Sequence, residues 1–286
     1  MFKSVTAVRK SGVGILAAIL GMAIWSGPQL RGAEIPITLT DLSSSAQVYS
    51  QTDTGIGSWT VNGTNEINRQ WFWYSVGTVA ANNPAQAINT LNCTLDRPAD
   101  TYVSGDTLNQ EFVKSGQFDI TLTYILSGSG STGSEMTVQF TVTNVGGQAL
   151  NFHLFQLANF DLGGFPGQDT AQAGVDGQGS YVNIVERDGN TSLSLTANPG
   201  ANRAQVDVHP VVYDFLTGST GGNLSDSVGP TGPGNIDSAL QWDLNVPANG
   251  TSVVTETENL TVYVVPEPAT LSLLVLGGLG LLRRKN

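Results

Sequence analysis

Cations are scarce over most of this chain. Between Glu34 and Val265, five basic residues (Arg69, Arg97, Lys114, Arg187 and Arg203) stand against 22 Asp and Glu. That is too few to neutralise a phosphate backbone, which excludes nucleic acid as a partner. The same imbalance repels anionic lipid and keeps the body soluble by self-repulsion. Cysteine is almost missing: Cys93 stands alone. No intramolecular disulfide can form and thiolate-rich metal sites are excluded, so the body must be held by its own core. The two histidines, His153 and His209, make no His-Glu-x-x-His motif. A Gly-x-Ser-x-Gly elbow and a P-loop are missing too. Nucleophilic and phosphoryl-transfer chemistry therefore lack a candidate, and no cofactor is expected.

No apolar run reaches the ~20 residues that a spanning helix needs. Two shorter runs mark the ends. At the N-terminus Lys3, Arg9 and Lys10 precede the apolar segment from Gly12 to Trp25, the basic and apolar regions of a secretory signal. Small residues up to Ala33 offer cleavage points. At the C-terminus Pro266-Glu267-Pro268 leads into the apolar stretch Ala269 to Leu282 and the basic cluster Arg283, Arg284 and Lys285. As a helix that stretch would be about 21 Å long, short of a ~30 Å hydrocarbon core. A basic end held in the cytoplasm places the body outside. The two prolines keep the junction extended.

Val265-Pro-Glu-Pro268, a Leu/Gly-rich stretch and a short basic end closely resemble the PEP-CTERM sorting signal. The resemblance implies that an exosortase recognises Pro266, Glu267 and Pro268. It further implies processing of the tail after transient membrane insertion and delivery to the cell surface or extracellular matrix of an exopolysaccharide-producing bacterium. Export machinery and exosortase are the implied partners, with exopolysaccharide as a further candidate.

Between the ends the period is two. Phe118, Ile120, Leu122 and Tyr124 alternate with Asp119, Thr121 and Thr123; after a Ser/Gly loop, Met136, Val138, Phe140 and Val142 share one face. This predicts an antiparallel hairpin with one wet face. Similar runs flank Arg187-Asp-Gly-Asn190 and Pro247-Ala-Asn-Gly250, another follows Asn144-Val-Gly-Gly147, and a brief helical turn is expected near Val211 to Leu216. Asn82 to Leu108 is irregular by pattern. The expectation is an all-β fold: one antiparallel β-sandwich over 34–264, between a signal peptide (1–33) and a sorting tail (265–286). The body also loosely resembles the sandwich bodies of PEP-CTERM proteins, which implies a fold and no activity.

Two groups of residues are candidate sites. Asp161, Asp169 and Asp176 share a Gly-rich loop, and calcium favours clustered oxygens on such loops. Their spacing fits no EF-hand or nonapeptide repeat, and a solvated acidic loop is the alternative. Trp71 and Trp73 fall on one face of Trp71-Phe-Trp-Tyr74, as a platform for stacking on sugar rings or as buried strand residues. The function expected is a non-catalytic envelope or matrix protein associated with exopolysaccharide, not an enzyme. The alternatives are a displayed carbohydrate-binding module and, behind it, a glycan hydrolase.

Overall fold

A computed structural model describes residues 36–93, 101–104 and 107–263. The signal segment, the Pro266-Glu267-Pro268 motif and the basic cluster lie outside the described residues. The chain begins in a first sheet with β1 (Ile37–Asp41), β2 (Ser44–Val48), β3 (Ile56–Val61), β4 (Thr64–Asn65), β5 (Ile67–Val76) and β6 (Gln86–Ala87). It builds a second sheet with β7 (Asn92–Cys93), β8 (Thr101–Ser104), β9 (Thr107–Lys114), β10 (Phe118–Gly128) and β11 (Gly133–Asn144). β12 (Leu150–Phe160) returns to the first sheet, and β13 (Asp169–Val175), β14 (Tyr181–Asp188) and β15 (Thr191–Ala201) belong to the second. After β16 (Arg203–Val208) in the first sheet come α1 (Val211–Thr217) and β17 (Thr231–Gly234), which edges the second. β18 (Ile236–Val246) and β19 (Thr251–Val262) close the first and second sheets respectively.

The fold is an antiparallel β-sandwich with one α-helix among the described residues. Its first sheet runs β1-β2-β3-β5-β12-β18-β16 and its second β17-β13-β14-β15-β19-β11-β10-β9-β7. The expected hairpin is β10–β11, with Phe118 opposite Asn144 and Tyr124 opposite Val138. Phe118, Ile120, Leu122 and Tyr124 are buried, while Asp119, Thr121 and Thr123 are half-buried on the other face. β14–β15 forms the second hairpin around Gly189.

The turns at Asn144–Gly147 and Pro247–Gly250 work differently: each carries the chain from one sheet to the other. Asn144 ties both crossovers together. Its Nδ2 donates to the carbonyls of Gln148 (2.8 Å), Val246 (3.1 Å) and Pro247 (3.0 Å). Its Oδ1 accepts from the Gly146 amide at 2.9 Å. The irregular stretch after Asn82 holds the short strands β6, β7 and β8.

The inter-sheet core is aromatic. Phe72 packs on Phe140 (ring centroids 5.7 Å apart), and Tyr74 on Phe118 (5.5 Å) and Phe152 (5.8 Å). The opposite face of β5 is covered as well, Trp71 by Phe112 and Asn89 and Arg69 by Tyr213 of α1, which packs on β16 and β18 of the first sheet. Val212, Leu216 and Leu224 are buried there, and the Leu224 amide donates to Gln241 Oε1 at 2.9 Å. No helix among the described residues is long and apolar enough to cross a membrane.

Candidate functional site

The outer face of the first sheet carries a polar cleft. Because β12 and β18 are antiparallel and in register, His153 lies directly opposite Asp243. His153 Nδ1 is 2.6 Å from Asp243 Oδ1, and Nε2 is 2.7 Å from the Gly77 carbonyl oxygen. With an oxygen acceptor at each nitrogen, the ring is held as the doubly protonated imidazolium. Its pKa is raised, first by the hydrogen bond it donates to Asp243, against the opposing effect of burial. That of Asp243 is lowered, first by His153. Asp243 is also oriented by Gln241 Nε2 at 2.9 Å, and its backbone amide donates to Asn202 Oδ1 at 2.7 Å.

This pair sits in a hollow of about 380 Å³ lined also by Thr78, Val79, Asn151, Asn223 and Asn245. The Asp243 side chain is 38% exposed and that of His153 13%, so the carboxylate faces solvent while the imidazolium braces it from behind. Amide, hydroxyl and carboxylate groups over a small apolar floor are the donor and acceptor set that binds hydroxyl-rich ligands. A larger hollow of about 520 Å³, bordered by Ser129, Thr132, Glu135, Asn259 and Tyr263, holds no paired acid and base.

At the other end of this face, polar side chains are used up in bracing α1. Asp237 accepts from Asn159 Nδ2 (3.1 Å) and from the Tyr213 amide (3.2 Å), and contacts His209 Nδ1 at 3.0 Å. Arg69 lies over the Tyr213 ring, 4.3 Å from its centroid. The Tyr213 hydroxyl donates to Asp53 at 2.9 Å.

The three aspartates of the Gly-rich loop are separated. Asp176 lies in the β13–β14 turn, accepting the amides of Gln178 (2.8 Å) and Ser180 (2.9 Å), and these bonds lower its pKa. Asp161 and Asp169 lie at the other end of β13, within electrostatic reach of Glu66, Glu186 and Asp188. Burial raises Glu66 to about 7 and Asp169 to about 8, and lifts Glu186 well above the carboxylate range. No three His, Cys, Asp or Glu side chains among the described residues converge to hold a metal ion.

Of the two alternatives for the tryptophans, the structure adopts burial. Trp71 is 0% and Trp73 2% exposed. Trp71 meets Phe112 edge-on at 6.0 Å, and its Nε1 donates to Asn89 Oδ1 at 3.3 Å. Neither ring face is open to a sugar.

Beyond the described residues, 264–285 match the PEP-CTERM protein-sorting motif. The chain carries a PEP-CTERM sorting motif. The motif supports sorting by an exosortase and export to the cell envelope or surface. No curated protein sequence is similar to it.

The body that precedes this PEP-CTERM motif is similar in fold to three solved structures. A putative aldose 1-epimerase from Escherichia coli K12 superposes with a TM-score of 0.54 at 11% identity, over 80% of this chain and 99% of that one. The GalM/aldose epimerase homologue from C. elegans gives 0.51 at 9% identity, over 81% and 100%. A bacterial glucoamylase complexed with acarbose gives 0.52 at 11%, over 87% of this chain and 36% of that enzyme. These likenesses overturn the expectation of a non-catalytic matrix body that is not an enzyme. The sandwich is a scaffold found in carbohydrate-active enzymes, and the carbohydrate-binding alternative accords with it better.

The His153–Asp243 pair escapes sequence reasoning because 90 residues separate its members. In its own aromatic strand His153 reads as a core or edge residue. Only the β12–β18 register gives it a partner.

Proposed function

We propose that the exported body binds carbohydrate, with the cleft at His153 and Asp243 as its sugar site. The observation that carries this reading is the solvent-facing Asp243 carboxylate, fixed by His153 and Gln241 within a cleft of asparagine amides. The fold it shares with proteins described as aldose epimerases and a glucoamylase supports the same ligand class. In this reading residues 1–33 direct export and 34–264 act outside. Residues 265–286 insert transiently in the membrane before processing, and exopolysaccharide is the sugar polymer nearest to hand. Calorimetric titration of the protein with mono- and oligosaccharides, compared with Asp243→Ala, tests it.

One observation favours a second, catalytic reading: an imidazolium and a carboxylate share the cleft 2.6 Å apart. Interconverting the anomers of a reducing sugar takes one proton from the anomeric hydroxyl and delivers one to the ring oxygen. A held base and acid could supply both transfers. His153 Nε2 would first have to release the Gly77 carbonyl. Anomer exchange followed by NMR, accelerated by the protein and lost in Asp243→Ala, would establish it.

A further inference from the structure

We infer that a second carbohydrate site, for a neutral oligosaccharide, lies on the other sheet, in the hollow of about 520 Å³ beside Tyr263. Strand register lays out its floor. Ser127, Glu135 and Asn259 stand side by side on β10, β11 and β19, one strand spacing of about 4.8 Å apart. Asn259, Thr261 and Tyr263 follow along β19 and just past its end, with the period of two that keeps them on this outer face. Gly133, paired with Thr261, lets β11 close up on β19: a Cβ there would come within 2.6 Å of the Leu260 carbonyl oxygen.

The walls are fixed by bonds of the protein's own. In the β10–β11 turn the Ser129 amide donates to the Gly133 carbonyl at 2.9 Å, and Thr132 Oγ1 to the Ser129 carbonyl at 3.3 Å. The β1–β2 hairpin holds this turn from outside. Asp41 Oδ2 accepts the Gly128 amide at 2.7 Å, and the Ser43 hydroxyl donates to the Gly130 carbonyl. Beneath it, Trp59 Nε1 donates to Ser134 Oγ at 3.0 Å. On the far side the Tyr263 amide donates to the Asn190 carbonyl at 2.8 Å. A hollow already formed spares a ligand the cost of ordering it.

The lining chooses the ligand. Tyr263 is 63% exposed, whereas Trp59, Trp71, Trp73 and Trp242 are all buried. Stacking on a sugar, which the sequence offered to Trp71 and Trp73, is thus open to this ring instead. A tyrosine presents an apolar face and a polar tip while ordering few torsions. The C–H face of a pyranose can lie on it while the hydroxyls meet the row of Glu135 and Asn259. Hydroxyl and amide side chains both donate and accept, and the carboxylate accepts. Among the described residues lining the hollow Glu135 alone is charged. With no cation facing it, a phosphorylated or uronic acid polymer gains no counter-charge, which leaves an uncharged glycan. The hollow's size is that of a small-molecule site, about 300–1,000 Å³. Lacking a paired acid and base, it binds without chemistry. It is independent of the His153 cleft, which opens from the outer face of the first sheet.

The test is backbone-amide NMR of the isotope-labelled full chain, titrated with malto-, cello- and laminarihexaose and with an oligogalacturonate of equal length. At least one neutral hexasaccharide should shift the amides of Thr132, Asn259 and Tyr263 saturably, and oligogalacturonate should not. Tyr263→Ala should weaken that binding about tenfold, and Tyr263→Phe should hold it within about twofold, because the ring stacks and the hydroxyl is secondary. Asp243→Ala should leave it unchanged. Since Tyr263 is exposed, neither of its variants should move the unfolding midpoint. The two sugar sites fail separately. Shifts confined to the hollow would support this site while removing the cleft, and shifts confined to Asn151 and Asn245 of the cleft would overturn it. No shift at the hollow with any neutral hexasaccharide, equal affinity in Tyr263→Ala, or a preference for oligogalacturonate overturns it too.

Discussion

His153 and Asp243 face each other across adjacent strands, 2.6 Å apart, with the far ring nitrogen of His153 2.7 Å from the Gly77 carbonyl. A neutral imidazole has one donor and one acceptor nitrogen and could satisfy one of these oxygens. The imidazolium satisfies both. The pair thus contributes stability in full between the carboxylate's unfolded value of about 3.9 and the histidine's of about 6.5, and loses it as pH rises through the raised histidine value or falls through the lowered aspartate value. With two histidines in the chain, proton NMR can follow each ring. Asp243→Asn should lower the His153 midpoint. An unmoved His153 midpoint would show that the carboxylate does not hold the charge.

A second titration belongs to the core. Glu256 and Glu258 on β19 both point inward, sharing Gln70 as donor, and the Tyr124 phenol from β10 lies in their field. Burial raises Glu258 to about 8 and Glu256 well above the carboxylate range. These groups fold protonated. Their contribution is complete below about pH 4.5 and is lost as pH rises through the folded values, costing a few kcal/mol. Tm measured from acid to mildly alkaline pH should therefore fall, and Glu258→Gln should flatten the slope. An unchanged slope in the variant contradicts this.

Trp71 and Trp73 are core residues, so truncation should act on stability. Trp71→Ala or Trp73→Ala should cost about 3–5 kcal/mol, seen as a shifted denaturant midpoint. At temperatures where the variants remain folded, sugar affinity should stay within about twofold of wild type, well below the cost of a lost anchor. Selective loss of binding with an unchanged midpoint would restore the stacking role.

How much could be read in the sequence depended on distance along the chain. The alternation of Phe118 to Tyr124 with Met136 to Val142 predicts a hairpin because a strand's side-chain period is local, and the ladder matches it. Pro247–Gly250 looks like another hairpin turn, yet it joins strands of different sheets. A turn sequence fixes a reversal and says nothing about which sheet receives the next strand. Trp71-Phe-Trp-Tyr74 left exposure undecided for the same reason, since Trp71 is covered by Asn89 and Phe112 from later in the chain. Asp161 and Asp169 stood out as loop acids. Glu66, Glu186 and Asp188, which complete their cluster, read as ordinary strand residues until the register was known.

The tail acts independently of the body. Replacing Pro266, Glu267 and Pro268 with Ala should leave full-length protein in the membrane fraction, with no change in the unfolding midpoint of the body. Immunoblots of fractionated cells check this. Unaltered processing and surface delivery would remove the motif from the account.

The claim that the exported body binds sugar through the His153–Asp243 cleft is tested most directly by isothermal titration of the protein with oligosaccharides, wild type beside Asp243→Ala. The account predicts saturable binding of at least one glycan, weakened about tenfold or more in the variant, since lost polar contacts to a buried ligand cost at least about 1.4 kcal/mol. Equal affinity of the two proteins, or no binding across a broad glycan panel, would contradict it.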